Sequence, residues 1–124
     1  VEMSSYYVVS VNHTHRRHKY ITFWRPDDRG YCWALSNAGK YAEANIRAHL
    51  GYYNSGCSSI AVRCQIVDPL GVAPIPGHHD FDAGPVVENT RANWKVLLAN
   101  MVTQPQYKPH PLFKGARRAE WEMA

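Results

Sequence analysis

The sequence predicts an α+β domain, a mainly antiparallel sheet of about four strands with two helices and an extended C-terminal arm. Three observations carry this expectation. Runs rich in Tyr, Val, Ile and Thr, separated by turn signals, fill the N-terminal half. One clear helical stripe comes late in the chain. Beyond residue 102 prolines and charges replace any periodicity. A chain of 124 residues suits one modest core, with residues 1–102 as the domain and 103–124 as an arm and tail.

The elements follow in order. "SSYYVVSVNH", residues 4–13, reads as a strand, and "KYITFWRP", residues 19–26, as a second that ends where Pro26 removes a ladder donor. An antiparallel hairpin turning near Arg16 and Arg17 is the simplest link between them. It would pair Val11 with Thr22 and Val9 with Trp24 on one face, leaving Val8, Ile21 and Phe23 on the other. Both faces carry apolar groups, so the hairpin is expected inside a sheet covered on both sides. "PDDRG", residues 26–30, is a strong turn, and "YCWAL" a short third strand.

"KYAEANIRAHL", residues 40–50, places Ala42, Ile46 and Leu50 on one helical stripe and Glu43 four residues before Arg47. Gly51 suits the position just past that helix. "YYNSG" is a polar turn, and "SSIAVRCQIV", residues 58–67, a fourth strand. Residues 68–85, with four prolines and three glycines, read as a long ordered loop. Asn89 is a good N-cap for a second helix carrying Trp94, Leu97, Leu98 and Met101 on one stripe. The arm is expected to pack through Tyr107 and Phe113 and then fray. Strands alternating with only two helices suggest helices on one side of the sheet.

Composition narrows the class. Hydrophobic residues make up 45% and charged residues 19%, which is globular. The apolar runs are far too short for a membrane span. No secretion signal opens the chain, so a cytosolic setting is expected. Cys32, Cys57 and Cys64 lack a zinc or redox spacing and read as reduced thiols. The net charge of +4 belongs entirely to residues 1–63, which hold eight Lys/Arg against four acids.

The densest signal is "NHTHRRHKY", residues 12–20, with three histidines and three cations and no acid. On a strand, His13 and His15 would share a face and could share a metal, with His78, His79, Asp80 or Asp82 completing the set. Arg16, Arg17, Lys19, Arg25 and Arg29 lie near Tyr20, Trp24, Tyr31 and Trp33, the mixture of cations and flat rings that single-stranded nucleic acid needs. Tyr52 and Tyr53, with Arg16, Arg17 and the arm aromatics, are of the types enriched in protein-binding hot spots. No catalytic motif stands out. Cys57 is an available nucleophile without a visible base, and Asp27 with Asp28 is a carboxylate pair better explained by its turn.

Several runs taken together, "YYVVSV", "KYITFWRPDDRGYCW", "AGKY", "LGYYNSG", "IAVRC", "RANWK" and "FKGARR", carry a resemblance. Over nearly its whole length the chain resembles a group of small accessory proteins encoded by phages and prophages of Gram-negative bacteria. The resemblance implies a bacterial cytoplasmic setting and a gene type that often encodes inhibitors of host systems, including anti-CRISPR proteins. It transfers no site residue. DNA mimicry by dense acid does not fit a charge of +4.

The expectation is therefore a phage-type accessory protein, without cofactor or membrane association, that binds and inhibits a host protein or ribonucleoprotein complex such as a defence-system component. The alternatives are a nucleic-acid-binding protein using a basic hairpin, and a histidine-ligated metal protein or small hydrolase.

Overall fold

The computed structural model describes residues 5–77 and 84–117. Five strands form one antiparallel sheet: β1 (Ser5–Ser10), β2 (Thr22–Trp24), β3 (Tyr31–Cys32), β4 (Tyr41–Ala42) and β5 (Ser59–Arg63). β1 is the central strand. It pairs with β5 along one edge, and along the other with β4 at its start and β2 at its end. β3 extends the sheet beyond β2. Among the described residues four α-helices accompany the sheet: α1 (Glu43–Ala48), α2 (Leu50–Tyr53), α3 (Cys64–Val67) and α4 (Arg91–Ala99). Among the described residues no helix is long and apolar enough to cross a membrane.

Strand alternation sorts the side chains of β1 into two cores. Tyr7, Val9 and Val11 face one way and join Ile21, Phe23, Ile60, Val62, Trp94 and Leu97. Tyr6 and Val8 face the other way and join Tyr41, Ile46, Tyr53 and Ala61. The expectation of a sheet covered on both sides therefore holds, but that of helices on one side does not. α4 and the arm cover the first face, and α1 with α2 covers the second. β1 is apolar at every position from Tyr6 to Val9, which requires a cover for each face.

The register of the first two strands differs from the expected one by a residue. Val9 lies opposite Phe23 and Ser10 opposite Thr22. Thr14 explains the shift. Its buried hydroxyl donates to the Ser10 carbonyl at 2.8 Å and accepts from the Thr22 N–H at 3.0 Å. A side chain thus completes the ladder where the next backbone pair would stand, and residues 11–21 leave the sheet as a long loop instead of a tight hairpin. One short turn inside this loop does fall near Arg16 and Arg17, closed by the His18 N–H on the His15 carbonyl.

Other boundaries move for local reasons. The helix expected over 40–50 begins at Glu43, because Tyr41 pairs with Tyr6 as strand β4. Gly51 lies inside α2 instead of ending a helix. The Glu43–Arg47 pair forms, at 2.8 Å, and holds the Glu43 carboxyl below its ordinary range. The strand expected over 58–67 ends at Arg63, and Cys64 begins α3. Helix α4 is capped by Thr90, whose hydroxyl accepts from the Asn93 N–H, and not by Asn89. Its expected stripe stands: Trp94 and Leu97 are buried, and Leu98 and Met101 pack beside them.

The arm beyond residue 102 is extended but belongs to the core. Phe113 is buried in the first-face cluster, whereas Tyr107 is exposed. The outer edge of β5 is closed by the arm's first residues. The Val102 N–H donates to the Ala61 carbonyl, and the Asn54 side chain accepts from Ala61 N–H while donating to Thr103. Covering the edge in this way blocks strand addition from outside.

Candidate functional site: an aromatic and imidazole face

The second face of the sheet is only partly roofed by α1 and α2, and aromatic rings fill the remainder. Trp24 sits at the centre. Its indole lies edge-on to Tyr52 at 5.2 Å and tilted against Tyr53 at 5.7 Å. Across the strand pair, Trp24 is opposite Tyr31, whose ring stacks on His13 at 4.0 Å and 26°. Trp33 continues the run. It meets His18 edge-on at 5.7 Å, and His18 in turn lies 4.7 Å from His15. Cross-strand pairing brings Trp24 and Tyr31 together, while α2 supplies Tyr52 and Tyr53 and the loop supplies the histidines.

Exposure divides this face. Tyr53 is buried at 4%, while Tyr52 is 55% and Tyr31 44% exposed. Tyr53 is thus a core residue, against its expected place in a binding patch. It donates to an Asp28 carboxylate oxygen at 3.2 Å and accepts from Asn45 at 3.3 Å. Burial, with the Asp28 hydrogen bond adding to it, raises its phenol pKa. Trp24 contributes one further feature. Its indole N–H is buried and meets no acceptor among the described residues, a loss of about 1–3 kcal/mol for an unmade bond. The orphaned donor belongs to the ring that Tyr52 covers.

His13 and His15, candidates for sharing a metal on a strand face, do not lie on a strand. Residues 12–18 are loop, so the alternation that would align His13 with His15 is absent. The His13 ring nitrogen lies 2.9 Å from the Asn12 side chain, and its ring is stacked on Tyr31. The His15 N–H donates to His18 Nδ1 at 3.1 Å. Among the described residues no three His, Cys, Asp or Glu side chains converge. His78, His79, Asp80 and Asp82 lie outside the described residues.

The expected basic cluster divides into separate groups. Arg25 and Arg29 flank the turn after β2, and Arg16, Arg17 and Lys19 lie in the loop before it. About 13 Å of strand separates Ile21 from Arg25. Arg25 donates to the Tyr31 carbonyl at 2.9 Å, and its turn carries Asp27 and Asp28, so that end is neutral. Arg16 turns inward. Its guanidinium donates to the Phe113 and Ala116 carbonyls at 3.2 and 2.8 Å. Arg17, Lys19 and Arg29 are exposed.

Asp27 and Asp28 are turn residues, both in the left-handed region at φ of 60° and 58°. Such conformations cost about 1–2 kcal/mol each. Tyr41 holds the turn in place, accepting from the Asp28 N–H and donating to the Arg25 carbonyl at 2.6 Å. Burial pushes the Tyr41 phenol up to about 12, which keeps that donor protonated. A shallow cleft of about 430 Å³ opens beside this turn, shared with Lys40 and Asn45. Cys57 is exposed, with its thiol 3.9 Å from the hydroxyls of Ser55 and Ser58, neither of which is a base that makes a thiolate.

Sequence reasoning missed the key of this region, Asn89. Its side-chain amide donates to the carbonyls of His15, His18 and Leu112 at 3.0–3.2 Å, and its oxygen accepts from the Trp94 indole at 2.6 Å. One buried amide thus joins the histidine loop, the arm and α4. An Asn just before a helix carries a cap signal, and the actual cap at the next residue left Asn89 free for this role.

His18 sets a pH dependence. Burial, and then the charge of nearby His15, lowers its pKa below the ordinary histidine value. The unfolded chain therefore takes up the proton first. Stability should fall as pH drops through about 6.5 and level off once the folded form also protonates. Urea midpoints at neutral and mildly acidic pH should differ less in His18→Asn than in the parent. Equal pH dependence in both would remove His18 as the cause.

The chain matches no family model, no curated protein and no solved structure.

Proposed function

We propose that the chain is an accessory protein of phage type that binds and inhibits a host macromolecule, a protein or ribonucleoprotein such as a component of a bacterial defence system. The observation that carries this reading is the run of exposed rings on the second sheet face, Tyr52 over Trp24 and Tyr31 against His13. Large aromatic rings held by a sheet and left half in water are the usual anchors of a protein interface. Tyr52 and Tyr31 are held in place by their ring contacts, so little side-chain freedom remains to be lost on binding.

The gene type implied by the resemblance supplies the biological setting, and the positive charge disfavours the DNA-mimic route to inhibition. Affinity capture from a lysate of a Gram-negative host, with and without nuclease, tests the proposal. A discrete protein or ribonucleoprotein retained after nuclease is the expected result. Recovery of bulk nucleic acid alone, lost on nuclease treatment, would favour the simpler nucleic-acid-binding alternative.

A further inference from the structure

A second surface lies on the opposite layer, where the loop, the start of α4 and the arm meet. Arg16 and Arg91 converge on one turn of the arm. Arg16 donates to the carbonyls of Phe113 and Ala116, and Arg91 to that of Gly115 at 3.2 Å, with its guanidinium carbon 5.3 Å from the Phe113 ring centre. The same turn carries Lys114 and Arg117, both exposed, and Arg17 follows Arg16 in the loop. Four exposed cations from three distant segments, Arg17, Arg91, Lys114 and Arg117, thus form a collar around residues 113–117, with Arg16 turned into it. None of Arg17, Arg91, Lys114 and Arg117 lies within ion-pair distance of a described carboxylate.

We propose that this collar is a contact surface for the phosphate backbone of nucleic acid. The proposal goes beyond the protein-binding reading above and rests on different residues. Two features favour phosphate over an acidic protein. Among the described residues the exposed large apolar side chains are Tyr31, Tyr52, Val72, Ile75 and Tyr107, and none lies at residues 16–17, 91 or 113–117. Phosphate contact needs charge and donors without an apolar pocket, whereas a protein partner needs an apolar anchor. Arg91 is also held, by the Gly115 carbonyl and over the Phe113 ring, so its planar fork is oriented before any ligand arrives. Together the two faces suit a partner that contains both protein and nucleic acid.

The test uses the full chain and short fluorescein-labelled RNA, single-stranded DNA and duplex DNA, followed by anisotropy over a salt series. Binding should be measurable at low salt with at least one probe. Arg17→Ala with Lys114→Ala should weaken it by about tenfold and reduce the log–log salt slope by about two. Both side chains are exposed and make no described side-chain contact, so the fold should survive. A charge-matched control at the opposite end of the sheet, Arg29→Ala with Lys40→Ala, should change binding far less. Equal weakening by both doubles, or no binding to any probe at low salt, would overturn the collar. So would loss, from the Arg17/Lys114 double, of a nuclease-resistant protein that carries no nucleic acid, since an acidic protein would then be the occupant. Absent oligonucleotide binding with unaltered lysate capture would sink the collar alone and leave the proposed function standing.

Discussion

Replacing Asn89 by Ala should cost about 3 kcal/mol of stability, among the largest effects of any single polar substitution in this chain. The residue is 7% exposed, and its amide meets three backbone carbonyls and one indole N–H. An unsatisfied buried group costs about 1–3 kcal/mol, and the groups left here share one site, so their losses do not simply add. Asn89→Asp should be as harmful or worse, because it replaces a donor with a negative charge facing three carbonyl oxygens. Urea titration measures both. A loss below about 1 kcal/mol would mean that the loop and the arm are held chiefly by other contacts. The substitution should also loosen the presentation of His15 and His18, which connects this structural amide to the candidate face.

Gly56→Ala should be comparably severe through backbone geometry. Gly56 has φ of +92°, a conformation that side chains rarely adopt, and a Cβ placed there would lie 1.7 Å from the Tyr107 carbonyl oxygen. The arm crosses directly over this glycine, bonded by the Tyr107 N–H to the Ser55 carbonyl at 3.1 Å. Either the turn or the arm must move, at an expected cost of about 3 kcal/mol. If the arm yields, brief trypsin treatment should cut after Lys114 well before the parent is cut there. An unchanged urea midpoint together with an unchanged digestion pattern would contradict the crossing.

These two residues also show how much the sequence could reveal. The β-branched and aromatic runs announced the strands, and the Trp94–Leu97 stripe announced α4, because burial on a face imposes a period that needs no tertiary knowledge. What failed was governed by single side-chain or strand contacts that no period encodes. Thr14 moved the register by one residue by offering a hydroxyl where a backbone pair was expected. Tyr41 became a strand residue because β1 had an open edge at Tyr6.

The candidate site was legible in the same uneven way. Tyr52, and the nearby aromatics Tyr31 and Trp24, stood out by type and occupy the half-exposed face. Tyr53 looked identical to Tyr52 in sequence but is buried on Asp28, since adjacent residues on a helix point in different directions. The cations were visible as a count and not as a place. Arg16 serves the arm, Arg25 serves its own turn, and the strongest cationic surface draws on Arg91, Lys114 and Arg117, more than 70 residues from the loop. No spacing rule joins segments that far apart.

The most direct test of the account concerns the exposed rings. Lysate capture should be repeated with Tyr31→Ala and Tyr52→Ala combined, after circular dichroism and a urea midpoint near the parent's show that the fold is intact. Both side chains lie about half in water and outside the two cores, so a folded protein that no longer retains the nuclease-resistant partner is expected. A folded double variant that captures the same partner in the same amount would contradict the assignment of that face.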